Sequence, residues 1–173
     1  MFCCKQKRIK SNRKSQKEVI ITIYTDGSAR FNPGPGGWGA ILESGTHRKE
    51  ISGSFRYTTN NRMELTAVIE AIKCLKVQNA TLDIYSDSAY VVNSISKGWI
   101  DNWVKTNFKD KANSDLWKQF ISLRSNYTIN MIWVKGHASN VGNNRCDVLA
   151  TSASADSNKA NWAIDTVYEN LKK

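Results

Sequence analysis

The sequence predicts an α/β fold, a five-stranded mixed sheet with helices on both faces. One observation is the run Val-Ile-Ile-Thr-Ile-Tyr at 19–24. Its β-branched and aromatic residues suit a strand, and its apolar side chains fall on both faces, as in an interior strand. A second is the spacing of Leu65, Val68, Ile69, Ile72 and Leu75, which repeats at the helical period and marks one buried face. The third is order: strand-like runs precede that helix, and later ones alternate with helical segments.

Taken in order, residues 1–18 are almost devoid of apolar side chains and read as a basic, disordered tail. The globular domain is expected over 19–156, with 157–173 as a C-terminal extension of undefined structure. The first strand runs from 19 toward Asp26-Gly27-Ser28, with the carboxylate at its mouth. Residues 29–39 hold both prolines and four of the ten glycines, so they read as a tight connection. No Gly-Lys-Ser/Thr follows, which argues against a Walker-type phosphate loop. Residues 38–44 and 47–55 are the next strands, turning at Ser44-Gly45-Thr46. The helix over 61–77 follows, with Asn61 able to cap it. Thr81 to Ser86 is a fourth strand ending at Asp87, with a short helix near 88–97. The Trp-bearing stretch 98–113 reads as irregular, 114–124 as a helix, Thr128 to Val134 as the fifth strand and 143–155 as the last helix.

A chain of 173 residues is long enough for one domain with a substantial core. Net charge is +10, and seven Lys or Arg against one acid in residues 1–18 put six of those charges in the tail. Nucleic acid is the natural partner of such a chain. No apolar run approaches the roughly 18 residues of a membrane span, and the N-terminus lacks the apolar region of a secretory signal. Cys3, Cys4, Cys74 and Cys146 have no zinc-ligand spacing and read as reduced thiols of a cytoplasmic protein.

Four acids stand out, each with a plain structural explanation beside it. Asp26-Gly27 has the form of a hairpin turn, although a Gly/Pro-rich connection follows it. Glu64, three residues after Asn61, fits a capping box, yet it borders the buried stripe, where an unpaired carboxylate is costly. Asp87 fits an N-cap. Asp147, near the start of the last helix, suits the helix dipole. Together they read differently. Asp26 and Asp87 end strands that can be neighbours, and Glu64 and Asp147 lie on helices that can pack beside those ends, where open sheets bind ligands. Clustered carboxylates repel, and a divalent cation relieves that repulsion. All-oxygen donors suit Mg²⁺ or Mn²⁺ over zinc.

Thr25-Asp26-Gly27-Ser28 with Asn32-Pro33-Gly34-Pro35-Gly36-Gly37 resembles the opening of type 1 ribonuclease H, the bacterial ribonuclease HI group. Thr58-Thr59-Asn60-Asn61-Arg62-Met63-Glu64-Leu65 resembles its next motif. Ser86-Asp87-Ser88 with Tyr90-Val91, Trp133-Val134-Lys135-Gly136-His137-Ala138 and Asn143 through Asp147 complete the set. The resemblance spans about 19–156, in the family's order and nearly its spacing.

It implies a ribonuclease H-like fold and hydrolysis of the RNA strand of an RNA–DNA hybrid, leaving 5′-phosphate and 3′-hydroxyl ends. Asp26, Glu64, Asp87 and Asp147 match the family's metal carboxylates, which hold two Mg²⁺ ions, with Mn²⁺ as a substitute. His137 is similar to its mobile histidine. By the same resemblance Gly27, Ser28 and Ala29, with Asn32 and Asn60, sense the RNA 2′-hydroxyl. Thr59 and Asn113 belong to the DNA-phosphate pocket, and Asn61 lies near the groove between the strands. Trp99 and Trp103 match the aromatic groove against the DNA backbone, although their i, i+4 spacing also fits core packing. A monomer is expected. The chain departs from bacterial members in three places: Tyr57 replaces a phosphate-pocket arginine, Asn144 replaces a common Glu, and the basic segment after Trp103 is short, keeping Lys105, Lys109 and Lys111. A non-catalytic nucleic-acid module on the same fold and a basic coating protein are the competing readings; neither needs the ordered acids.

Overall fold

The computed structural model describes residues 19–156 and 158–171. The expected tail over 1–18 lies outside the described residues. In chain order come β1 (Ile20–Ala29), β2 (Gly34–Ser44), β3 (His47–Thr58), α1 (Asn60–Lys73), β4 (Thr81–Ser86), α2 (Ala89–Ser96), α3 (Trp99–Lys105), α4 (Ser114–Arg124), β5 (Thr128–Trp133) and α5 (Val141–Ala155). A 3₁₀ turn at Lys159–Asn161 and α6 (Thr166–Asn170) follow.

The five strands form one mixed sheet in the order β3-β2-β1-β4-β5. β1 is central, antiparallel to β2 and parallel to β4, as apolar residues on both its faces require. β2 and β3 are antiparallel, and β4 and β5 parallel. Ile21, Ile23, Ala40 and Leu42 meet Leu65, Val68, Ile69 and Ile72 in the main core. Each such side chain contributes about 1.5–3 kcal/mol by leaving water. α5 covers the opposite face, where a Cβ on Gly37 or Gly39 would strike the backbone of Ala150 or Cys146.

Several local expectations are corrected. The Gly/Pro-rich stretch is mostly strand: only residues 30–33 turn, and β2 begins at Gly34. Gly37 and Gly39 are there because α5 presses on that face of β2, while Gly36 lies under the Thr58 and Met63 side chains and Gly34 against Arg30 O. Asp26-Gly27 therefore lies inside a β-hairpin but not at its turn. α1 stops at Lys73, not 77; Leu75 and Val77 pack on the core from the connecting turn, which extended the apolar spacing beyond the helix. Its cap is Thr59, not Asn61: the Thr59 hydroxyl accepts from Arg62 N. The stretch 98–113 includes a helical segment, α3. Ser88, not Asp87, caps α2, and Asn140 caps α5, which starts two residues before the expected 143. The C-terminal segment docks on β3, where Ala163 N donates to Ser54 O at 2.8 Å and Arg56 N to Ala163 O at 3.0 Å.

Candidate active site

β1 and β4 run parallel with Tyr24 opposite Tyr85 as their last pair, the two rings stacked 5.1 Å apart. Asp26 and Asp87 each stand two residues farther on, so the parallel register delivers both acids to the same end of the sheet. Gly27 brings in the third. A Cβ there would collide with the backbone of Met63 and Glu64, so only glycine lets the first turns of α1 rest on β1. The result is a cluster in which Asp26, Glu64 and Asp87 each offer an oxygen within 4.8 Å of the others.

Their burial makes this arrangement costly. Asp26 is only 7% exposed, and its Oδ1 accepts from Gly27 N at 2.7 Å. Burial, reinforced by the Asp87 charge, pushes its carboxyl up to about 7. Glu64 is half-buried as a residue, but its Oε2 is fully enclosed. Burial and then the Asp26 and Asp87 charges hold it well above the ordinary range. Glu64 Oε2 and Asp87 Oδ1 are buried with no hydrogen-bond partner in the protein. Two orphaned carboxylate oxygens facing a third acid fit a hard divalent cation, whose charge answers the repulsion and whose bonds satisfy the oxygens. With one oxygen from each of three carboxylates, this donor set is compatible with a divalent metal ion.

Asp147 lies in the second turn of α5, which leaves the helix dipole little part in its placement. It is not among the three converging acids; its charge reaches Asp26 as a weaker influence than that of Asp87. His137 stands beside it on the loop between β5 and α5, with Nδ1 3.9 Å from Asp147 Oδ2. That imidazole is 81% exposed. The same loop presses on Asp87: a Cβ on Gly136 would meet the Asp87 carboxylate. Trp133 Nε1 donates to Asp87 O at 3.1 Å and steadies the acid's backbone.

The residues expected to touch substrate are spread over β1, the turn after it, the start of α1 and the segments before and within α3 and α4. Ser28 lies in the β1–β2 ladder opposite Gly37. Asn60 Oδ1 accepts from Ala29 N at 2.5 Å, and Asn60 N donates to Asn32 Oδ1 at 3.0 Å, tying the hairpin tip to α1. Asn61 is exposed in the first turn of α1, next to the Thr59 cap. Asn113 precedes α4 in a left-handed conformation, φ 59°, and its Nδ2 donates to Tyr90 Oη at 3.1 Å. Trp99 opens α3, 42% exposed, with the Lys97 ammonium 5.4 Å from its ring centre. Trp103 instead packs edge-on against buried Trp117, which fits the core alternative for that residue.

The sequence reading missed the support behind these residues. Arg62, only 3% exposed, donates from Nε and Nη2 to Asp165 at 2.6 and 2.8 Å. It also donates from Nη1 and Nη2 to Asp115 at 2.9 and 2.7 Å. Asp165 also accepts from Thr58 Oγ1 and caps α6. The available signal was an arginine beside a buried helical stripe, which demands carboxylate partners; nothing local marked Asp165 as one.

The RNase H family model matches residues 17–155. The ribonuclease H of Syntrophus aciditrophicus is 50% identical over 143 residues, covering 80% of this chain and 81% of that protein. The ribonuclease H of Syntrophomonas wolfei is 51% identical over 142 residues, covering 79% and 96%. Among solved structures, LC9-RNase H1, described as a type 1 RNase H with the type 2 active-site motif, superposes with a TM-score of 0.74 at 26% identity, over 90% of this chain and 82% of that one. The fold, the motif order and these matches agree: the chain belongs to the RNase H family, as a type 1-like member.

Proposed function

We propose that the protein is an endonuclease that hydrolyses the RNA strand of RNA–DNA hybrids and depends on a divalent cation. The carrying observation is the convergence of Asp26, Glu64 and Asp87 with two buried oxygens lacking any protein partner. Relatives named ribonuclease H, half identical over four-fifths of the chain, support the substrate class.

Asp26, Glu64 and Asp87 would hold the metal, with Asp147 completing the set at the rim. Two Mg²⁺ ions, or Mn²⁺ in their place, would neutralise the scissile phosphate and make an attacking water more acidic. Breaking the P–O3′ bond then leaves a 5′-phosphate and a 3′-hydroxyl. Such a reaction depends on positioning and charge, so the protein needs no covalent nucleophile. His137, exposed beside Asp147, would shuttle a proton or help clear product. Asn32, Asn60 and the backbone at Gly27–Ala29 would read the 2′-hydroxyl; Thr59, Asn61, Asn113 and Trp99 would carry the DNA strand.

The test is cleavage of an end-labelled hybrid in Mg²⁺ or EDTA, beside duplex DNA, duplex RNA and the Asp26→Asn protein. Metal-dependent cuts confined to the hybrid's RNA strand, and lost in the variant, are expected. Binding without cutting in both Mg²⁺ and Mn²⁺ would overturn the proposal in favour of a non-catalytic module.

A further inference from the structure

Phe31 occupies the tip of the β1–β2 hairpin under two penalties at once. It is 92% exposed, more than any other large hydrophobic side chain among the described residues. Its backbone is also left-handed, φ 60°, a conformation that favours glycine and strains a residue with a bulky side chain. Neither penalty is offset by packing, since a ring so exposed has almost nothing against it.

The tip itself is held firmly. Arg30 N donates to Pro35 O at 2.7 Å across the turn. On either side of Phe31, Ala29 and Asn32 are bonded to Asn60 at the start of α1. The ring is therefore presented from a fixed platform, not carried on a loose loop. It sits between the residues that would read the RNA 2′-hydroxyl. Asp26 to Ala29 spans three residues of strand, about 10 Å. That is roughly three nucleotides of backbone rise from the acids.

We infer that Phe31 is a substrate-contacting residue that packs its ring on the ribose and base edges of the RNA strand, in the minor groove of the hybrid, a few nucleotides from the cut. This rests on the hybrid-nuclease reading above and adds a specificity contact to it. The chemistry suits the place. An A-form-like minor groove is wide and shallow, lined with sugars and base edges, and admits an aromatic side chain. Apolar side chains are used against minor-groove steps elsewhere. Substrate would cover the exposed ring, and that contact accounts for retaining a strained phenylalanine where glycine would fit without strain.

The experiment compares the full-length protein with Phe31→Gly and Phe31→Tyr, measuring Tm, then kcat and KM on the hybrid in Mg²⁺ across a salt series. Phe31→Gly is expected to keep or raise Tm, to raise KM about five- to tenfold and to leave kcat nearly unchanged. The slope of log KM against log salt stays the same, because no phosphate contact is lost. Phe31→Tyr keeps the ring and stays near wild type. An unchanged KM in Phe31→Gly, with the wild type cutting normally, overturns this inference alone. A large fall in Tm shows that the ring is structural and also overturns it. A wild type that does not cut the hybrid overturns the functional reading first and this contact with it.

Discussion

Removing the charge of Asp26 should stabilise the metal-free protein while abolishing activity. Asp26 is buried, lies beside Asp87 and Glu64, and is pushed from an ordinary 3.8 to about 7. For a carboxyl raised on folding, the unfolded state gives up its proton first. The penalty is therefore absent below about pH 3.8, grows as pH rises toward 7, and is constant above that. At about 1.36 kcal/mol per tenfold, the full penalty is about 4 kcal/mol. Relaxation and water at the open side of the cluster reduce it, and we expect about 2 kcal/mol. Asparagine keeps an oxygen for the Gly27 N–H and discards the charge. For a domain of this size that gain raises Tm by about 4–8 °C.

The assay is thermal and urea unfolding of wild type and Asp26→Asn in EDTA at pH 8 and pH 5. The variant should be more stable at pH 8, with the gap smaller at pH 5 and absent below about pH 3.8. Millimolar Mg²⁺ should close the gap by stabilising the wild type, since the cation answers the same repulsion. A variant no more stable than wild type at pH 8 in EDTA would refute the argument that the acids are held together at a cost.

Two further outcomes follow from the supports of the site. Asp165→Ala leaves buried Arg62 with Asp115 as its remaining carboxylate and removes the cap of α6, so it should cost about 3 kcal/mol in urea unfolding; a loss under 1 kcal/mol would mean that the C-terminal segment is not held by this pair. Deleting residues 1–18 should raise KM for the hybrid without changing kcat, with the effect shrinking as salt rises; a KM equal to wild type across the salt series rejects a binding role for the tail.

Much of the fold was readable because local and tertiary preferences agreed. β1 was visible as a two-faced apolar strand, and its central place followed. Asp26 and Asp87 could be paired because both closely follow apolar strand runs, and parallel neighbours bring such ends together. The glycines of β2 could not be read correctly. Locally they favour a turn, and the reason Gly37 and Gly39 lie in a strand is the approach of α5, which no short window contains. The capping explanations weakened for a related reason. Thr59 and Ser88 do the capping, which leaves Glu64 and Asp87 without that local task, and Asp147 stands in the second turn of α5, past most of the dipole's reach. Asp165 was invisible because its partner lies 103 residues away.

The phosphate side of the site shows how one departure changes the rest. By the resemblance, Tyr57 takes the place of a phosphate-pocket arginine, and its ring lies 5.9 Å from that of Tyr168. Arg56, next to it, does not take over. Its Nε and Nη2 are directed at Glu169, at 2.9 and 2.6 Å, and so it is tied to α6. Arg62 is committed to Asp165 and Asp115. If Thr59 and Asn113 meet the DNA phosphate as proposed, they would offer it neutral groups, with Arg56 and Arg62 both paired to acids. On that reading, positive charge for the hybrid would come from the periphery: Lys97 beside Trp99, Lys105, Lys109 and Lys111 beyond it, and the tail, which holds six of the ten net charges. Such contacts are long-range and nonspecific, so they raise encounter and affinity without aligning the scissile bond. On the proposed reading, alignment would rest with the hydrogen-bonded set Ala29, Asn60 and Asn32. This division is why losing the tail should act on KM and its salt dependence, while kcat follows the acids.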